Sequence, residues 1–419
     1  MLTPKPTLYQ LEGGIQHYAW GHRGAIPQML GIGNPHDQPH AEYWMGAHAD
    51  MPSLLIDPSN SLSMRLDEAI GKSPETLLGK AVCSELGNRL PFLFKVLAAA
   101  QPLSIQVHPS KDQARQGYAA EMAQGRNLDP ATRLFSDDNH KPEIIIALEP
   151  FYGLCGFRPW QDIKEAFLKI PQWAILLDEL GDDSASTRKL YERVMRLEDL
   201  QLESMLAPAI EQLRRLHNQS PFKPSDPAFW FLRASDCLPA EHPWDRGLFS
   251  VFMLNLICLQ PGESIFIPSG ILHAYLQGVG MELMANSNNV LRGGLTPKHM
   301  DVDALLKHID YQSTQTHFIK PSQSTSTNPW SCYAVPAREF ECQHLNTRAL
   351  PVDLDIQSQG PEIWFMNQDQ GEASQLSLAG QSPIDMRQGQ AVFISAGTRL
   401  GARIATGVSL YRALVPLST

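Results

Sequence analysis

Gly262-Glu263-Ser264-Ile265-Phe266-Ile267-Pro268-Ser269-Gly270-Ile271-Leu272-His273 is the stretch on which the fold turns. Gly262 suits a tight turn, Ser264 to Ile267 is one short strand, and Pro268 with Gly270 shapes the next corner. His273 then opens a returning strand and faces inward. Extended both ways, 247–278 reads as apolar strand, Pro-Gly turn, strand, Pro-x-Gly turn and strand, the texture of a small barrel. The frame recurs near the C-terminus, where Gly389 precedes Ser395-Ala396-Gly397 at the same offset. Leu400 there replaces His273, so only the first copy offers a metal ligand.

From Leu8 to about Leu154, apolar runs such as 91–100, 102–109 and 142–150 alternate with Gly/Pro/Asp turns, again a β texture. From Phe157 to His242 the apolar residues instead recur at three and four with charges between them, which predicts helices. The polar stretch 313–329 reads as a linker before a last β-rich unit. The expected fold is mainly β with a helical insertion: two double-stranded β-barrels (jelly rolls) and an α-helical domain. Residues 1–156 and 243–318 form the first barrel, 157–242 the insertion, and 319–419 a second barrel without metal.

The 419 residues suffice for several domains with a large core. A formal net charge of −10 argues against a general nucleic-acid binder, which needs a basic face. The six cysteines lie far apart with no C-x-x-C pair, so neither a disulfide framework nor a thiolate metal site is signalled. The N-terminus lacks an apolar signal core and no membrane-length apolar run occurs, so the expected location is cytoplasmic.

Residues with ligand chemistry cluster in three places. In Ser104-Ile105-Gln106-Val107-His108 the pleat of a strand puts Ser104, Gln106 and His108 on one face. In Asn139-His140-Lys141-Pro142-Glu143 a carboxylate starts the apolar strand Ile144-Ile145-Ile146, a position where charge is seldom buried unless paired or metal-bound. With His273 these give two imidazoles, a carboxylate and an amide: Gln106, His108, Glu143 and His273. Zinc accepts such a set, and iron or manganese also fits it.

The stretch from Gly262 matches the second motif of the cupin superfamily, except that Gln277 stands at its final asparagine. The chain as a whole resembles the type I phosphomannose isomerases, a cupin-type family. The resemblance rests on YAWG (18–21), AEYWMGAH (41–48), FLFKVLAAAQPLSIQVHPSK (92–111), NHKPE (139–143), IPSGILHAYL (267–276) and MELMANSNNVLRGGLTPKHMD (281–301). It implies two cupin-like barrels and a zinc-dependent aldose–ketose isomerase, with one zinc per chain on Gln106, His108, Glu143 and His273 and with Arg292 as the active-site arginine. The implied partner is a small sugar phosphate, without nucleic acid or membrane, and the expected state is a monomer.

Isomerisation moves a carbon-bound proton through an enediol that bears developing negative charge, so the site needs a cation and a proton carrier. Arg292 supplies a permanent positive charge. Glu282, in an apolar run, and Lys141 are the protein candidates for the carrier, beside a metal-bound water. Lys95, Lys141, Lys298 and Ser104 are candidates for the phosphate, and Trp20, Tyr275, Glu42 and Glu282 for walling and orienting the sugar. Bacterial relatives usually read N-S-D-N where this chain has Asn286-Ser287-Asn288-Asn289. Asn288 thus takes a place in which the resemblance implies a proton-transferring acid: either it keeps a binding role or the chain is impaired. The alternatives are an Fe(II) oxidoreductase of the same fold and a non-catalytic sugar-phosphate-binding protein.

Overall fold

The strand His273–Ala285 is the seam of the molecule. In the computed structural model, which describes residues 4–417 apart from 60, 124–132, 184, 314–317, 326–327, 349 and 381, this strand belongs to two antiparallel sheets. Its first part pairs with Ile105–Val107 and Phe151–Phe157. Its second part pairs with Phe92–Ala99 and Glu143–Ala147. A register shift between Tyr275 and Gln277, followed by Gly278 at φ 140°, carries the chain from one sheet into the other. A Cβ on Gly278 would lie 2.7 Å from Phe151 Cα, so the bend requires glycine.

The pleat then sorts side chains strictly. Phe94, Val96, Ile144, Ile146, Met281 and Leu283 face a core shared with a third sheet. Ile105, Val107, Leu272 and Ala274 face the helices. The alternate positions, among them Lys95, Gln106, Glu143, His273 and Glu282, are left to the space between the first two sheets.

The helical layer covers the outer face of the smaller sheet. It comprises Trp160–Leu168, Ala185–Met195, Asp199–Gln219, Pro227–Asp236 and Gly247–Met253, so helix continues past residue 242. Asp199–Gln219 starts with a capping box of Glu198 and Gln201, and Pro227–Asp236 with an Asp226 cap and Pro at its first position. Trp173, packed on Phe167, Phe231 and Phe249, anchors this layer.

The C-terminal part supplies an eight-stranded and a four-stranded sheet, with a separate apolar core that includes Trp364, Met366, Ile394 and Leu400. The eight-stranded sheet also takes Leu8–Glu12, Leu54–Ile56 and Ser63–Arg65 from the N-terminal region: Leu8–Glu12 pairs with Ala391–Ile394. These strands differ from the sequence expectation, which kept 1–156 together; a short edge strand does not announce its partner in its own residues. The linker stretch 313–329 lies partly outside the described residues, and within it Phe318–Ile319 pairs with Ser264–Ile265. The two glycine frames have the same conformation, Gly262 and Gly270 at φ 85° and 86°, Gly389 and Gly397 at 80° and 76°.

His344 in the C-terminal part stacks on Tyr411 at 4.3 Å, with Nε2 2.8 Å from Ser409 Oγ. Burial, then Arg348, pushes its pKa down to about 4. Its stabilising contribution is therefore complete above the unfolded value of about 6.5 and is lost as pH falls towards 4, because the unfolded chain takes up that proton first. Thermal melts of His344→Gln should accordingly show a smaller loss of Tm between pH 7 and pH 4.5 than the unmodified protein.

Candidate active site

The register of three adjacent strands places Arg292, Gln106 and His273 on one rung. His108 follows at the end of the Gln106 strand, and Glu143 enters from the facing sheet, opposite Ile267 and Met284. His108, Glu143 and His273 are fully buried or within 1% of it, and each has one ligand atom within 4.8 Å of the others. Each histidine Nδ1 sits on a backbone carbonyl, that of Asn289 at 2.7 Å for His108 and that of Ile271 at 3.0 Å for His273. Nδ1–H donating there leaves both Nε2 lone pairs turned to the site. The Nε2 atoms lie 3.4 Å from the two Glu143 oxygens.

This arrangement fits a divalent cation. His108 Nε2 and Glu143 Oε2 are buried without a hydrogen-bond partner, a costly state for polar atoms that a metal ion relieves. Burial pushes the His108 pKa down to about 4, so the imidazole is neutral, as a ligand must be. For Glu143, burial opposes ionisation, but Lys141 at 3.1 Å and His108 outweigh it and hold the carboxyl well below its usual range. The Gln106 amide nitrogen lies 3.3 Å from His273 Nε2, and a half-turn of the amide would bring its oxygen there, so Gln106 can offer a neutral oxygen donor.

Beside the His108–Glu143–His273 cluster runs a second buried set of charges. Lys95 faces Glu282 across the strands at 2.5 Å and Glu42 at 3.5 Å. Burial alone would depress Lys95, yet Glu282 and Glu42 overcome it and raise the pKa above the ordinary lysine value. Glu282 is itself raised: burial is the largest cause, Glu143 and Glu42 add to it, and Lys95 opposes it. Trp44 donates its ring N–H to Glu42 at 2.8 Å and lies under the Lys95 ammonium. Tyr275, buried with its hydroxyl unpartnered, is raised by burial and then by Glu282 and Glu143, and stays a neutral donor.

One cavity of about 410 Å³ brings these groups together, lined by Trp20, Glu42, Lys95, Ser104, Gln106, Lys141, Glu143, Tyr275, Glu282, Asn288, Arg292 and Lys298. His108 and His273 lie fully buried behind it. An adjoining space of about 470 Å³ shares Ser104, Arg292 and Lys298 and extends to Cys237, Leu238 and Pro239 of the helical layer. Among the described residues no carboxylate lies within 4 Å of Arg292 or Lys298, whereas Lys95 and Lys141 are held by glutamates. Burial lowers the Arg292 and Lys298 pKa values, the latter also through Arg292. The sequence reading missed Tyr18, Trp44, Asp50 and Ser136 of the lining, and the insertion's part in it. Trp44 had a legible signal, an aromatic two residues from a buried carboxylate on the same strand face.

Comparison with known proteins gives concordant results. The family model for the catalytic domain of type I phosphomannose isomerase matches residues 8–160. The chain is 34% identical to mannose-6-phosphate isomerase of Escherichia coli (strain K12) over 400 residues, 93% of this chain and 95% of that protein. The enzyme of that name from Homo sapiens is 32% identical over 425 residues, covering 95% and 96%. Among solved structures, a variant of phosphomannose isomerase from Salmonella typhimurium aligns with a TM-score of 0.84 at 32% identity, over 98% of this chain and 100% of that one. A zinc-bound mannose 6-phosphate isomerase aligns at 0.83, with the same identity and coverage.

The Lys95 cluster generates a stability prediction. Lys95→Met strands two buried carboxylates and should cost about 3–5 kcal/mol in urea unfolding. Adding Glu282→Gln to it should recover part of that loss, because one of the two stranded charges is then gone.

Proposed function

The chain belongs to the type I phosphomannose isomerases, and from that premise we propose how its own residues interconvert mannose 6-phosphate and fructose 6-phosphate. The observation that carries the reading is the buried His108–Glu143–His273 cluster opening, with Gln106, into the cavity that holds Glu282 and Arg292. These four residues would hold zinc, which supplies a Lewis acid for the sugar oxygens. The curated relatives carry the isomerase name, which displaces the Fe(II) oxidoreductase and the non-catalytic binder considered from sequence.

Glu282 is the carboxylate best suited to carry the proton. Its pKa is raised by burial, and Lys95 fixes its orientation. On the open-chain aldose it takes the proton from C2 and returns it to C1, while the hydroxyl proton on O2 passes to O1. Arg292, on the rung of Gln106 and His273, faces the developing enediolate. Lys141 keeps Glu143 ionised and is thereby drawn away from the proton transfer. Lys298 and Ser104, at the end shared with the adjoining space, take the phosphate, and Trp20 and Tyr275 wall the sugar. Lys95 and Glu42 serve by holding Glu282 rather than by meeting phosphate.

No helix among the described residues is long and apolar enough to cross a membrane, and the cysteines are free. The reading is of a monomeric cytoplasmic enzyme acting on a diffusible sugar phosphate.

A coupled assay of fructose 6-phosphate formation tests the function. Chelation should abolish turnover and zinc should restore it; full turnover in rigorously metal-free protein would refute the metal reading. Arg292→Ala should lower kcat by about 10²–10³ with a smaller change in KM, the loss expected for one electrostatic donor. A rise in KM alone would instead make Arg292 a phosphate clamp.

A further inference from the structure

Four carboxylates line the cavity, and one of them differs from the rest. Glu42, Glu143 and Glu282 are buried, and each lies within 3.5 Å of a lysine. The Asp50 side chain is 62% exposed, and among the described residues no lysine or arginine lies within 4 Å of it. Its nearest basic group is His48 Nδ1 at 3.8 Å, but that nitrogen receives the Asp50 backbone N–H at 3.2 Å. Burial lowers the His48 pKa, so the ring is a neutral acceptor and not a counter-ion.

Asp50 is nevertheless held in place. Asn288 Nδ2 donates to its Oδ2 at 3.1 Å from the opposite wall of the cleft. The Asn288 backbone N–H is in turn fixed on Asp137 Oδ2 at 2.7 Å, and Asp137 Oδ1 accepts from Ser287 Oγ at 2.8 Å. The next residue, Asn289, is fully buried and gives its carbonyl to His108. The amide that grips Asp50 thus belongs to the same rigid loop that orients a metal-ligand histidine. Among the described residues no hydrogen-bond donor meets the other oxygen of Asp50, a residue that lines the cavity.

We propose that Asp50 is a substrate-binding, specificity-determining carboxylate of this cleft, its second oxygen accepting a hydroxyl of the sugar. The inference rests on the isomerase reading. A bare carboxylate in a cleft that receives a phosphate dianion repels its ligand unless it gains hydrogen bonds from it, and a sugar hydroxyl donates to a carboxylate more strongly than to an amide. Asp50 also sets polarity: Ser104, Arg292 and Lys298 line the adjoining space as well, whereas Asp50 lines only the cavity of the glutamates. The phosphate is drawn to the first end and turned away from the second.

The test uses the zinc-loaded full chain and three variants: Asp50→Asn, Asn288→Asp, and the exchange Asp50→Asn/Asn288→Asp. Mannose 6-phosphate binding is measured by calorimetry beside kcat and KM, with inorganic phosphate as the probe of the other end. Asp50→Asn should raise Kd and KM about tenfold or more, the value of a hydrogen bond to a charged group, with a much smaller fall in kcat, and should leave phosphate inhibition equal or tighter. Asn288→Asp sets two carboxylates against each other and should weaken sugar binding further, and the exchange variant should recover most of that loss. Unchanged sugar binding in Asp50→Asn, or equal weakening of sugar phosphate and inorganic phosphate, overturns the proposal. A wild-type protein that binds mannose 6-phosphate without isomerising it would sink the isomerase reading, while the calorimetry would still decide on Asp50.

Discussion

Burying charge in the interior of a β structure is the constraint on which the rest depends. Glu42, Glu143 and Glu282 lie against Lys95 and Lys141, with the buried imidazoles of His108 and His273 beside them. Desolvating such groups costs several kcal/mol each and is tolerated only when every charge has a partner. Here the carboxylates outnumber the ammonium groups by one, and the unpartnered His108 Nε2 and Glu143 Oε2 mark where the missing positive charge belongs. A divalent cation turns the deficit into a single positive excess, which suits a site that must tolerate an anionic intermediate. Stability and chemistry therefore make the same demand on the same side chains.

One strand enforces the spacing of those side chains. His273 and Glu282 both lie on His273–Ala285, so the spacing between the buried His108–Glu143–His273 cluster and the Glu282 carboxylate is set by strand geometry and by the bend at Gly278. The outward residues of this strand lock it in place: Ala274 and Leu276 against the helical layer, Met281 and Leu283 against the third sheet. Both surrounding cores thus hold the site from behind. The helical insertion has a second part, because 237–239 also wall the space that adjoins the cavity.

What could be read in the sequence was what lies within a few residues along the chain. Alternation in 104–108 placed Gln106 and His108 on one face, and the structure puts Ile105 and Val107 in the opposite core. A carboxylate opening an apolar strand singled out Glu143 on the same logic. Lys95, a lone charge inside a wholly buried strand, carried an equally strong signal, but its partners Glu42 and Glu282 come from strands about fifty and nearly two hundred residues away. Local pattern cannot supply such pairings, and without them Lys95 looked free to meet a phosphate. Asp50 gave no signal, since an exposed aspartate after His48 has no apolar context; only its meeting with Asn288 across the cleft distinguishes it.

The C-terminal sheets repeat the same buried glutamate–tryptophan device with a different cation. Glu362 and Trp364 repeat the spacing of Glu42 and Trp44, each tryptophan N–H donating to its glutamate, at 2.9 Å and 2.8 Å. In the first case the cation is Lys95, shared between two carboxylates in an open cavity. In the second it is Arg412, whose guanidinium forks onto both oxygens of Glu362 at 2.6 and 2.8 Å and lies against Trp330 and Trp364. The bidentate pair engages both Glu362 oxygens, Arg412 also donates to Gln343 at 3.0 Å, and Trp364 belongs to an apolar core that includes Leu400, which takes the place of His273 in the second glycine frame. A point-charge lysine serving two carboxylates leaves Glu282 with a raised pKa and an unfilled cavity beside it, whereas the arginine fork closes on its own glutamate. The difference between the two units lies less in their strands than in whether the buried glutamate is fully satisfied.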